Sequence, residues 1–299
     1  MVNHAPHIPV LLHETIEGLD LKPGAVVVDA TVGAGGHALS IAQAVGKEGV
    51  VIGFDADAKA LELATLNLKQ GPAKFIPINT NFRLMATELA KVNIDEVDAV
   101  LFDLGVSSMQ LDTAHRGFSF RFDEPLVMTL DSNPTGDTLT AIDLVNTLKA
   151  EDLAVILKNY GEEGFAGRIA DAIVEARSSA PIETTARLVE IINSAVPFWY
   201  KKRKIHPATK TFQALRIAVN DELGALTEGL NSAWSLLKSG GHLGVISFQG
   251  LETKIVKDFA KAQKKIGAVK KVVKIKPSRQ EILANHRSRS AILRLIQKI

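Results

Sequence analysis

The chain of 299 residues contains no cysteine. Disulfides, thiolate zinc sites, iron–sulfur clusters and cysteine nucleophiles are therefore excluded, and with them the cysteine-dependent methylation of pyrimidines at carbon 5. His4, His7 and His13 lie near the amino terminus. They lack the paired carboxylates that usually complete a histidine metal site, and we predict no metal.

The sequence also lacks signals for membranes and export. No apolar run approaches the ~18 residues that a membrane span needs. The amino terminus has neither the basic start and apolar core of a secretory signal nor the arginines of a transit peptide. With 46% hydrophobic and 23% charged residues, we expect an ordinary globular protein of the cytoplasm with no membrane partner.

Positive charge is concentrated at one end of the chain. The formal net charge is only +2, yet residues 261–299 contain twelve Lys or Arg and the single acid Glu281. The rest of the chain is therefore net negative. This asymmetry favours a surface that binds a polyanion, and a solvated basic tail is the alternative interpretation.

Alternating apolar runs and helical periods indicate a parallel sheet in the first third of the chain. The runs cover 26–30, 50–54, 74–78 and 98–102, and helices are predicted to begin near His37, Asp57 and Arg83. After Asp103 the alternation stops, and helical stretches follow around 137–148, 151–158, 164–178 and 184–195. We predict a helical insertion over 109–205 between two parts of one α/β domain, 1–108 and 206–299.

The sheet resumes in the last third. A long helix is predicted from about 208 to 238, ended by Gly240 and Gly241, before a fifth strand over 243–248. Apolar runs at 269–275 and 290–296 are predicted to form a terminal antiparallel pair at the sheet edge. The total is seven strands.

A glycine loop follows the first strand. The segment from Asp29 to His37 reads DATVGAGGH, and its backbone amides can meet a nucleotide-like ligand at a helix start. Asp55 ends the second strand 22 positions after Gly33, where a carboxylate can accept hydrogen bonds from ribose hydroxyls. The spacing Gly33-x-Gly35-x-x-Ala38 also fits the dinucleotide fingerprint, so this motif alone leaves a nicotinamide or flavin enzyme open.

The order of the elements favours one cofactor. Seven strands with an antiparallel pair last, a glycine loop after the first strand and acids after the second and fourth are the plan of class I S-adenosylmethionine-dependent methyltransferases. In this plan Gly33, Gly35 and Gly36 let the backbone approach the methionine and ribose of the cofactor. Asp29 orients the loop or the cofactor ammonium group, and Asp103, at the end of strand four, faces the transferred methyl.

Further motifs resemble those of one family over nearly the whole chain. In order, they occupy 7–14, 29–37, 55–57, 103–112, 116–120, 160–163, 206–220 and 287–291. They include DLGVSSMQLD from Asp103 and HPATKTFQALRIAVN from His206. Together they resemble the MraW-type family of ribosomal small-subunit methyltransferases, known as methyltransferase H.

The resemblance implies an activity and a cofactor site. The activity is transfer of a methyl group from S-adenosylmethionine to the exocyclic N4 of a cytidine in the ribosomal decoding region, with small-subunit ribosomal RNA as the partner. The cofactor residues carried over by position are Gly35, Gly36, His37, Asp55, Phe82, Asp103 and Gln110, with Phe82 packed near the adenine. A homodimer is left open.

Several cations are predicted to contact the RNA. Arg116 and Arg121 lie in a loop expected near the ligand edge of the sheet, and Arg287 and Arg289 lie beside the terminal strand pair. Lys210 completes the set. Phe198-Trp199-Tyr200, followed by four basic residues, also joins stacking surfaces to positive charge, although aromatics in this setting often only anchor a helix end.

Asp103 suits the proposed chemistry. The lone pair of cytosine N4 is delocalised into the ring, so an acceptor must draw on the amino hydrogens, and the carboxylate or the carbonyl of Asp103 can do this. The sulfonium already makes the methyl electrophilic. Most of the catalysis is therefore expected from in-line positioning, with proton removal secondary.

The chain departs from the family pattern in two segments. Gln249 and Gly250 stand where the family has His and Ser, and Val127 and Thr129 stand where it has Asp and Arg. Both segments are expected at the substrate mouth. Two alternatives therefore stay open: an impaired or retargeted homologue that binds RNA or assists ribosome assembly, and a small-molecule methyltransferase or nicotinamide oxidoreductase.

Overall fold

A computed structural model describes residues 9–105, 116–132 and 134–299. The chain divides into two compact units. The first contains residues 9–105 and 223–299, and the second contains the described residues up to Glu222. Gln110, His4 and His7, which entered the predictions above, lie outside the described residues.

The first unit is built on a sheet of seven strands within the described residues. The strands are β1 (Val26–Asp29), β2 (Val50–Asp55), β3 (Lys74–Asn79), β4 (Val97–Asp103), β5 (Leu237–Ser247), β6 (Val269–Ile275) and β7 (Ile292–Lys298). Their order is β3-β2-β1-β4-β5-β7-β6, and β7 pairs antiparallel with both β5 and β6. The predicted class I methyltransferase fold, with its terminal antiparallel pair at one edge, is confirmed.

Continuous apolar runs form the central strands because helices cover both faces of the sheet. Val27 and Leu101 are fully buried on one face, and Val28 and Phe102 are fully buried on the other. The helices of this unit are α1 (Leu12–Gly18), α2 (Gly36–Val45), α3 (Ala58–Leu68), α4 (Met85–Lys91), α11 (Glu222–Leu236), α12 (Gly250–Lys265) and α13 (Arg279–Ala284). The starts predicted near His37, Asp57 and Arg83 are confirmed, and Asp57 caps α3 by accepting the Lys59 N–H at 3.1 Å.

The second unit is helical, as predicted. Its described helices are α5 (Ala141–Thr147), α6 (Ala150–Gly161), α7 (Ala166–Arg177), α8 (Thr185–Ala195), α9 (Phe198–Lys201) and α10 (Ala208–Asn220). Helices α6 and α10 pack closely, since a Cβ on Gly161 would lie 2.5 Å from the Lys210 carbonyl oxygen. In the described part of the chain, no helix is both long and apolar enough to cross a membrane.

The long helix predicted over 208–238 is wrong. Helix α10 ends at Asn220, Asp221 takes a left-handed backbone with φ 45°, and α11 begins at Glu222. The glycine pair does not end a helix either, because α11 stops at Leu236 and Gly240 and Gly241 lie inside β5. They lie at an irregularity where Val97 pairs with Leu237 but Ala99 pairs with His242, a bulge that glycine accommodates.

The turn at Asp221 also moves the boundary of the insertion. Helix α10 shares its core with α6 and α8, because Phe212 and Leu215 are buried with Leu157 and Leu188. The helical unit therefore continues to Glu222 rather than ending at 205. Helical periodicity in the sequence does not indicate that the chain passes from one unit to the other within the predicted helix.

Asn220 joins the end of α10 to a loop of the same unit. Its Oδ1 accepts the Leu130 N–H at 2.7 Å, and its Nδ2 donates to the carbonyls of Met128 and Arg216, each at 2.8 Å. Met128 is buried and has φ 60°, a conformation that a methionine holds only when its surroundings impose it.

We expect Asn220→Ala to lower the free energy of unfolding by about 1–3 kcal/mol, because it leaves part-buried loop groups without partners. Urea unfolding measures the change. Asn159→Ala, at an exposed position of α6, is the matched control and should stay within about 0.5 kcal/mol of wild type. Equal values for the two variants would contradict the anchoring role of Asn220.

Candidate cofactor and methyl-transfer site

The glycine loop is packed so closely that side chains are excluded from it. Gly35 has φ +88°, and a Cβ there would lie 2.7 Å from Leu68 Cδ1. A Cβ on Gly36 would lie 2.6 Å from Pro9 Cγ. The backbone of the loop, rather than side chains, is therefore what a ligand meets at the start of α2.

Asp55, at the carboxyl end of β2, fixes this loop. Its Oδ2 accepts the Gly33 N–H at 2.9 Å and its Oδ1 accepts the Asp57 N–H at 2.8 Å. A carboxylate offers about four acceptor positions. Asp55 therefore holds the loop, and its predicted contact with ribose hydroxyls stays a prediction.

Asp29, at the carboxyl end of β1, is buried. Its Oδ1 accepts the Thr31 N–H at 3.2 Å. Burial raises the pKa of Asp29 to about 7; the hydrogen bond from Thr31 opposes this rise, and the nearby charge of Asp55 adds slightly to it. The free protein therefore holds this carboxyl partly protonated near neutral pH.

Asp103 ends β4 beside Asp29, and its side chain is 23% exposed. Its backbone N–H donates to Thr31 Oγ1 at 2.6 Å, which fixes the residue at the mouth of the loop. Its Oδ1 is buried and has no hydrogen-bond partner among the described residues. Burial raises the pKa of Asp103 to about 8, and the charges of Asp29 and Glu252 add to the shift.

His37 orients the other oxygen of Asp103. Its Nε2 lies 3.1 Å from the Val10 carbonyl oxygen, so Nε2 carries the proton, and its Nδ1 lies 3.5 Å from Asp103 Oδ2. In the neutral histidine, Nδ1 is an acceptor. A protonated Asp103 therefore donates to His37, and Oδ1 stays buried without a partner among the described residues.

The acidic centre formed by Asp29, Asp55 and Asp103 selects the charge of its ligand. Neither Asp29 nor Asp103 has an ion pair with a lysine or arginine in the part of the chain that the structure describes. A sulfonium and an ammonium group would supply the missing positive charge. A dinucleotide would instead bring a pyrophosphate to the same loop, so the nicotinamide alternative fits these residues poorly.

Phe82 lies after β3 and packs into the same half of the sheet. Its ring meets Phe102 edge-to-face at 5.3 Å between centroids, and a Cβ on Gly229 would lie 2.7 Å from Phe82 Cδ2. Phe82 is half-buried, so part of its ring is left for a ligand. Its predicted place beside the adenine stays a prediction, as does the role of Gln110.

Two of the predicted RNA contacts lie at the ligand edge of the sheet. Arg287 and Arg289 are exposed in a short 3-10 turn (His286–Ser290) that enters β7. Because Asp103 pairs with Ile246 and Ser247 pairs with Ile292, this turn and Asp103 lie at the same edge. Adjacent strands are about 4.8 Å apart, so β7 is only about 10 Å across the sheet from β4.

The predicted contacts in the helical unit are less uniform. Arg121 is exposed, but Arg116 Nη2 donates to the carbonyls of Thr129 and Leu130, each at 2.9 Å. Lys210 Nζ donates to the Glu162 carbonyl at 2.6 Å. Arg116 and Lys210 therefore have structural partners that their positions in the sequence did not indicate, and their contact with RNA remains a prediction.

A basic and aromatic surface projects from residues 198–206 of the helical unit. Phe198 is 72% exposed and Trp199 57% exposed, and Lys202 and Arg203 lie over their respective rings at 5.0 and 5.2 Å. A cavity of about 260 Å³ beside them is lined by Tyr200, Arg203, Lys204, Ile205, His206 and Lys210. His206 itself stacks on Phe120 and accepts the Ala208 N–H, which gives it a structural role at the start of α10.

Three contributors to the site were absent from the sequence interpretation: Thr31, Val10 and Glu252. Glu252 Oε2 accepts the N–H groups of Phe248 and Gln249 at the start of α12. The spacing Gln249-x-x-Glu252 resembles a helix-capping signal and could have been found in the sequence. The contacts of Thr31 and Val10 depend on packing between distant segments, which no local pattern predicts.

Comparisons with known proteins agree with one another. The family model described as the MraW methylase family matches residues 4–299. The protein named Ribosomal RNA small subunit methyltransferase H of Geobacter sulfurreducens is 52% identical over 251 residues, 84% of this chain and 80% of the relative. Its namesake from Syntrophotalea carbinolica is 44% identical over 310 aligned positions, covering 98% of each chain.

We expect Gly35→Ala to abolish tight cofactor binding, because its Cβ meets Leu68 and Ala64 and tilts the loop. Gly46→Ala is the matched control, since Gly46 also has positive φ (+69°) but a Cβ added there would have nothing within 4 Å. Gly35→Ala should lose about 1–2 kcal/mol of stability from its left-handed backbone, and Gly46→Ala at least as much, because its ψ of −166° lies in a region that essentially only glycine adopts. Calorimetric titration with S-adenosylmethionine should separate them, and equal affinities would contradict the packing argument.

Asp29→Asn should stabilise the ligand-free protein at pH 8 but change it little at pH 4. The folded pKa of Asp29 lies above its unfolded value of 3.8. Ionisation in the unfolded state therefore lowers the stability of wild type as pH rises from about 4 to 7, and the amide escapes this loss while still accepting the Thr31 N–H. Urea unfolding at pH 4 and pH 8 measures the change in the free energy of unfolding that Asp29→Asn causes.

The control for this experiment is Asp95→Asn at an exposed position, which should show no such pH dependence. A variant Asp29→Asn that is destabilised equally at both pH values would show that burial does not hold the carboxyl protonated.

Proposed function

Because this chain belongs to the MraW methylase family, we propose that it transfers a methyl group from S-adenosylmethionine to the N4 of a cytidine in the decoding region of small-subunit ribosomal RNA. Membership in this methylase family confirms the predicted cofactor. The names of the relatives support ribosomal RNA as the substrate class. The acidic centre, in which the partly exposed Asp103 ends β4 beside the glycine loop, carries the proposal.

The glycine loop, Asp55 and Asp29 would each bind a different part of the cofactor. The backbone at Gly33, Gly35 and Gly36 would hold the methionine and ribose portion, and Asp55 would accept hydrogen bonds from the ribose hydroxyls. Asp29, which accepts the Thr31 N–H of the loop, would balance positive charge. S-adenosylmethionine supplies, when bound, a methyl group made electrophilic by a positively charged sulfur.

Asp103 receives the target amine. Its carboxyl, 23% exposed at the end of β4, would accept a hydrogen bond from an amino hydrogen of cytosine and so restore electron density to N4. In the transfer, the N–C bond would form as the bond between sulfur and the methyl carbon breaks, S-adenosylhomocysteine would leave as a neutral thioether, and the ionised Asp103 would accept the proton that the amine releases. His37, held by the Val10 carbonyl, accepts a hydrogen bond from Asp103 in the protonated state before and after transfer.

Target RNA would meet several cations. Arg287 and Arg289 are exposed at the edge of the sheet where Asp103 ends β4, and this supports their role as phosphate contacts. Trp199 and Phe198 of the helical unit offer rings on which unpaired bases can stack, with lysines and arginines beside them. Because small subunits are in the cytoplasm, a target in the decoding region would also place this protein there, as predicted.

The departures from the family pattern are accommodated locally. Gln249 begins α12, where Glu252 accepts its N–H, and Thr129 is buried with its Oγ1 accepting the Asp131 N–H at 3.3 Å. These bonds lie within the segments of the two residues and leave the glycine loop and Asp55 unchanged, so cofactor binding is expected to survive. Retargeting of the enzyme, or an assembly role without catalysis, is distinguished by the assay below.

The proposal is tested with small subunits that lack base methylation and cofactor labelled in its methyl group. We expect label in the RNA, recovered after nuclease digestion as N4-methylcytidine by mass spectrometry. Asp103→Asn should slow transfer by about 10²–10⁴-fold, because the amide cannot accept the proton. Asp95→Asn serves as the control and should retain the wild-type rate.

The outcomes separate the alternatives. Label in another nucleoside would overturn the N4 assignment but keep the methyltransferase. Saturable binding of cofactor and subunit with no label would favour the assembly role. Label in a small molecule and none in RNA would show that RNA is not the substrate.

The rate of methyl transfer should depend on pH in a direction set by Asp103. Its raised pKa of about 8 means that the free protein holds the acceptor protonated below that value. We therefore expect kcat/KM to rise with pH and level off above about pH 8. A bound sulfonium favours the ionised carboxylate, so kcat should level off at a lower pH than kcat/KM. A flat profile in both parameters would contradict a carboxylate that accepts the proton.

A further inference from the structure

Helix α12 carries an exposed row of lysines that the proposed methyl transfer does not use. Lys254, Lys257, Lys261 and Lys264 follow one another at intervals of three or four residues, so they share one face of the helix. All four are exposed. None has a carboxylate within ion-pair distance in the residues that the structure describes.

The strand beneath this helix extends the positive charge. Helix α12 contacts β5, β6 and β7, and its Val256 and Ala260 are buried in the same core as Ile296 of β7. β6 is the edge strand of the sheet, and its Lys270, Lys271 and Lys274 are exposed. Between Lys254 and Lys276 the chain contains nine lysines and one acid, Asp258.

We propose that this lysine face, defined as Lys254, Lys257, Lys261, Lys264 and Lys274, binds the phosphate backbone of double-stranded RNA in the small subunit, independently of base sequence. Lys274 belongs to it because the side chains of β6 alternate and Lys274 shares the α12 side with Val272, which pairs with Ile296. The inference rests on the proposed RNA substrate and adds a second contact to it. From Lys254 to Lys264 the row spans about 15 Å of helix, so it can contact two or three successive phosphates of a duplex.

The composition of the face favours duplex backbone over unpaired bases. Lysine presents a compact charge on a flexible stem and suits phosphate contacts that carry no sequence information. The large exposed hydrophobics that accompany these lysines, Ile266 and Val272, are aliphatic. Binding of unpaired bases uses aromatic rings for stacking, as the helical unit offers at Phe198 and Trp199.

The buried side of α12 argues against a membrane as the partner. A helix that lies in a membrane interface inserts its apolar face into the lipid. In α12 that face is already packed on the sheet through Val256 and Ala260. Lysines on β6 also protect an edge strand against pairing with other chains. That purpose does not explain the row on α12, which has no edge to protect.

The test compares two triple variants of the full chain. Lys257→Gln/Lys261→Gln/Lys264→Gln removes three charges from the lysine face. Lys47→Gln/Lys69→Gln/Lys74→Gln removes three exposed charges near the amino ends of β2 and β3, at the opposite edge of the sheet from Asp103. Thermal unfolding verifies that both variants fold. The probe is a 20-base-pair RNA duplex of arbitrary sequence, titrated at several salt concentrations.

We expect the lysine-face variant to bind the duplex about 10- to 100-fold more weakly at 0.1 M salt, with the slope of log K against log salt reduced by about three. The control variant should match wild type. With unmethylated small subunits as substrate, the lysine-face variant should raise KM and leave kcat unchanged.

Several results would overturn the inference. They are equal duplex affinity of the lysine-face variant and wild type, a loss that is as large in the control variant, or a larger loss of affinity for single-stranded RNA or an acidic polypeptide than for the duplex in the lysine-face variant. The proposed function fails separately, through absence of N4-methylcytidine with wild type, because duplex binding is measured without methyl transfer.

Discussion

The structure depends on a cluster of carboxyl groups, the acidic centre, at the carboxyl edge of the sheet. Three neighbouring strands bring Asp29, Asp55 and Asp103 to this edge, and Glu252 adds a fourth carboxyl from the start of α12. Burial of Asp29 and Asp103, neither of which pairs with a lysine or arginine among the described residues, costs free energy that a positive ligand would recover. The raised pKa values of Asp29 and Asp103 express that cost.

This cost is also what makes the site selective. A glycine loop at the start of a helix is compatible with many nucleotides, because backbone amides favour phosphate as readily as ribose. The carboxyls behind the loop reverse that preference. The same loop that would cradle a pyrophosphate in a dinucleotide enzyme is here joined by Asp55 to an acidic neighbourhood, where a sulfonium is favoured and a phosphate is not.

Much of the fold could be predicted because the signals were local and repeated. All seven strands and the four helices predicted between 137 and 195 were expected from period and apolar runs, and Asp55 and Asp103 were expected at strand ends. The failures lie where local pattern carries no information. Asp221 interrupts a helical period without glycine or proline, and Gly240 and Gly241 look like a helix stop although they form a bulge inside β5.

The site was predictable only in its carboxylates and glycines. The positions of Asp29, Asp55 and Asp103 follow from the rule that parallel strands present their carboxyl ends at one edge. The orientation of Asp103 does not, because it depends on Thr31 Oγ1, on His37 and on the Val10 carbonyl from a segment far away in sequence. The sequence position of a cation does not show whether it has a structural partner. Arg116 was expected to contact phosphate because it lies in a loop, but its guanidinium donates to carbonyls of the same loop.

One chain thus carries an acidic centre and a basic outer face within the same unit, and the two do not cancel. Charges separated by more than about 8–10 Å are screened by salt at physiological ionic strength, so each acts on what lies next to it. The acids are largely buried, so salt screens them weakly, and they attract a cation into the site. The lysines of α12 and β6 are exposed, and they attract a polyanion to the surface. The small net charge of +2 conceals this division, which only the placement of the charges in the fold makes visible.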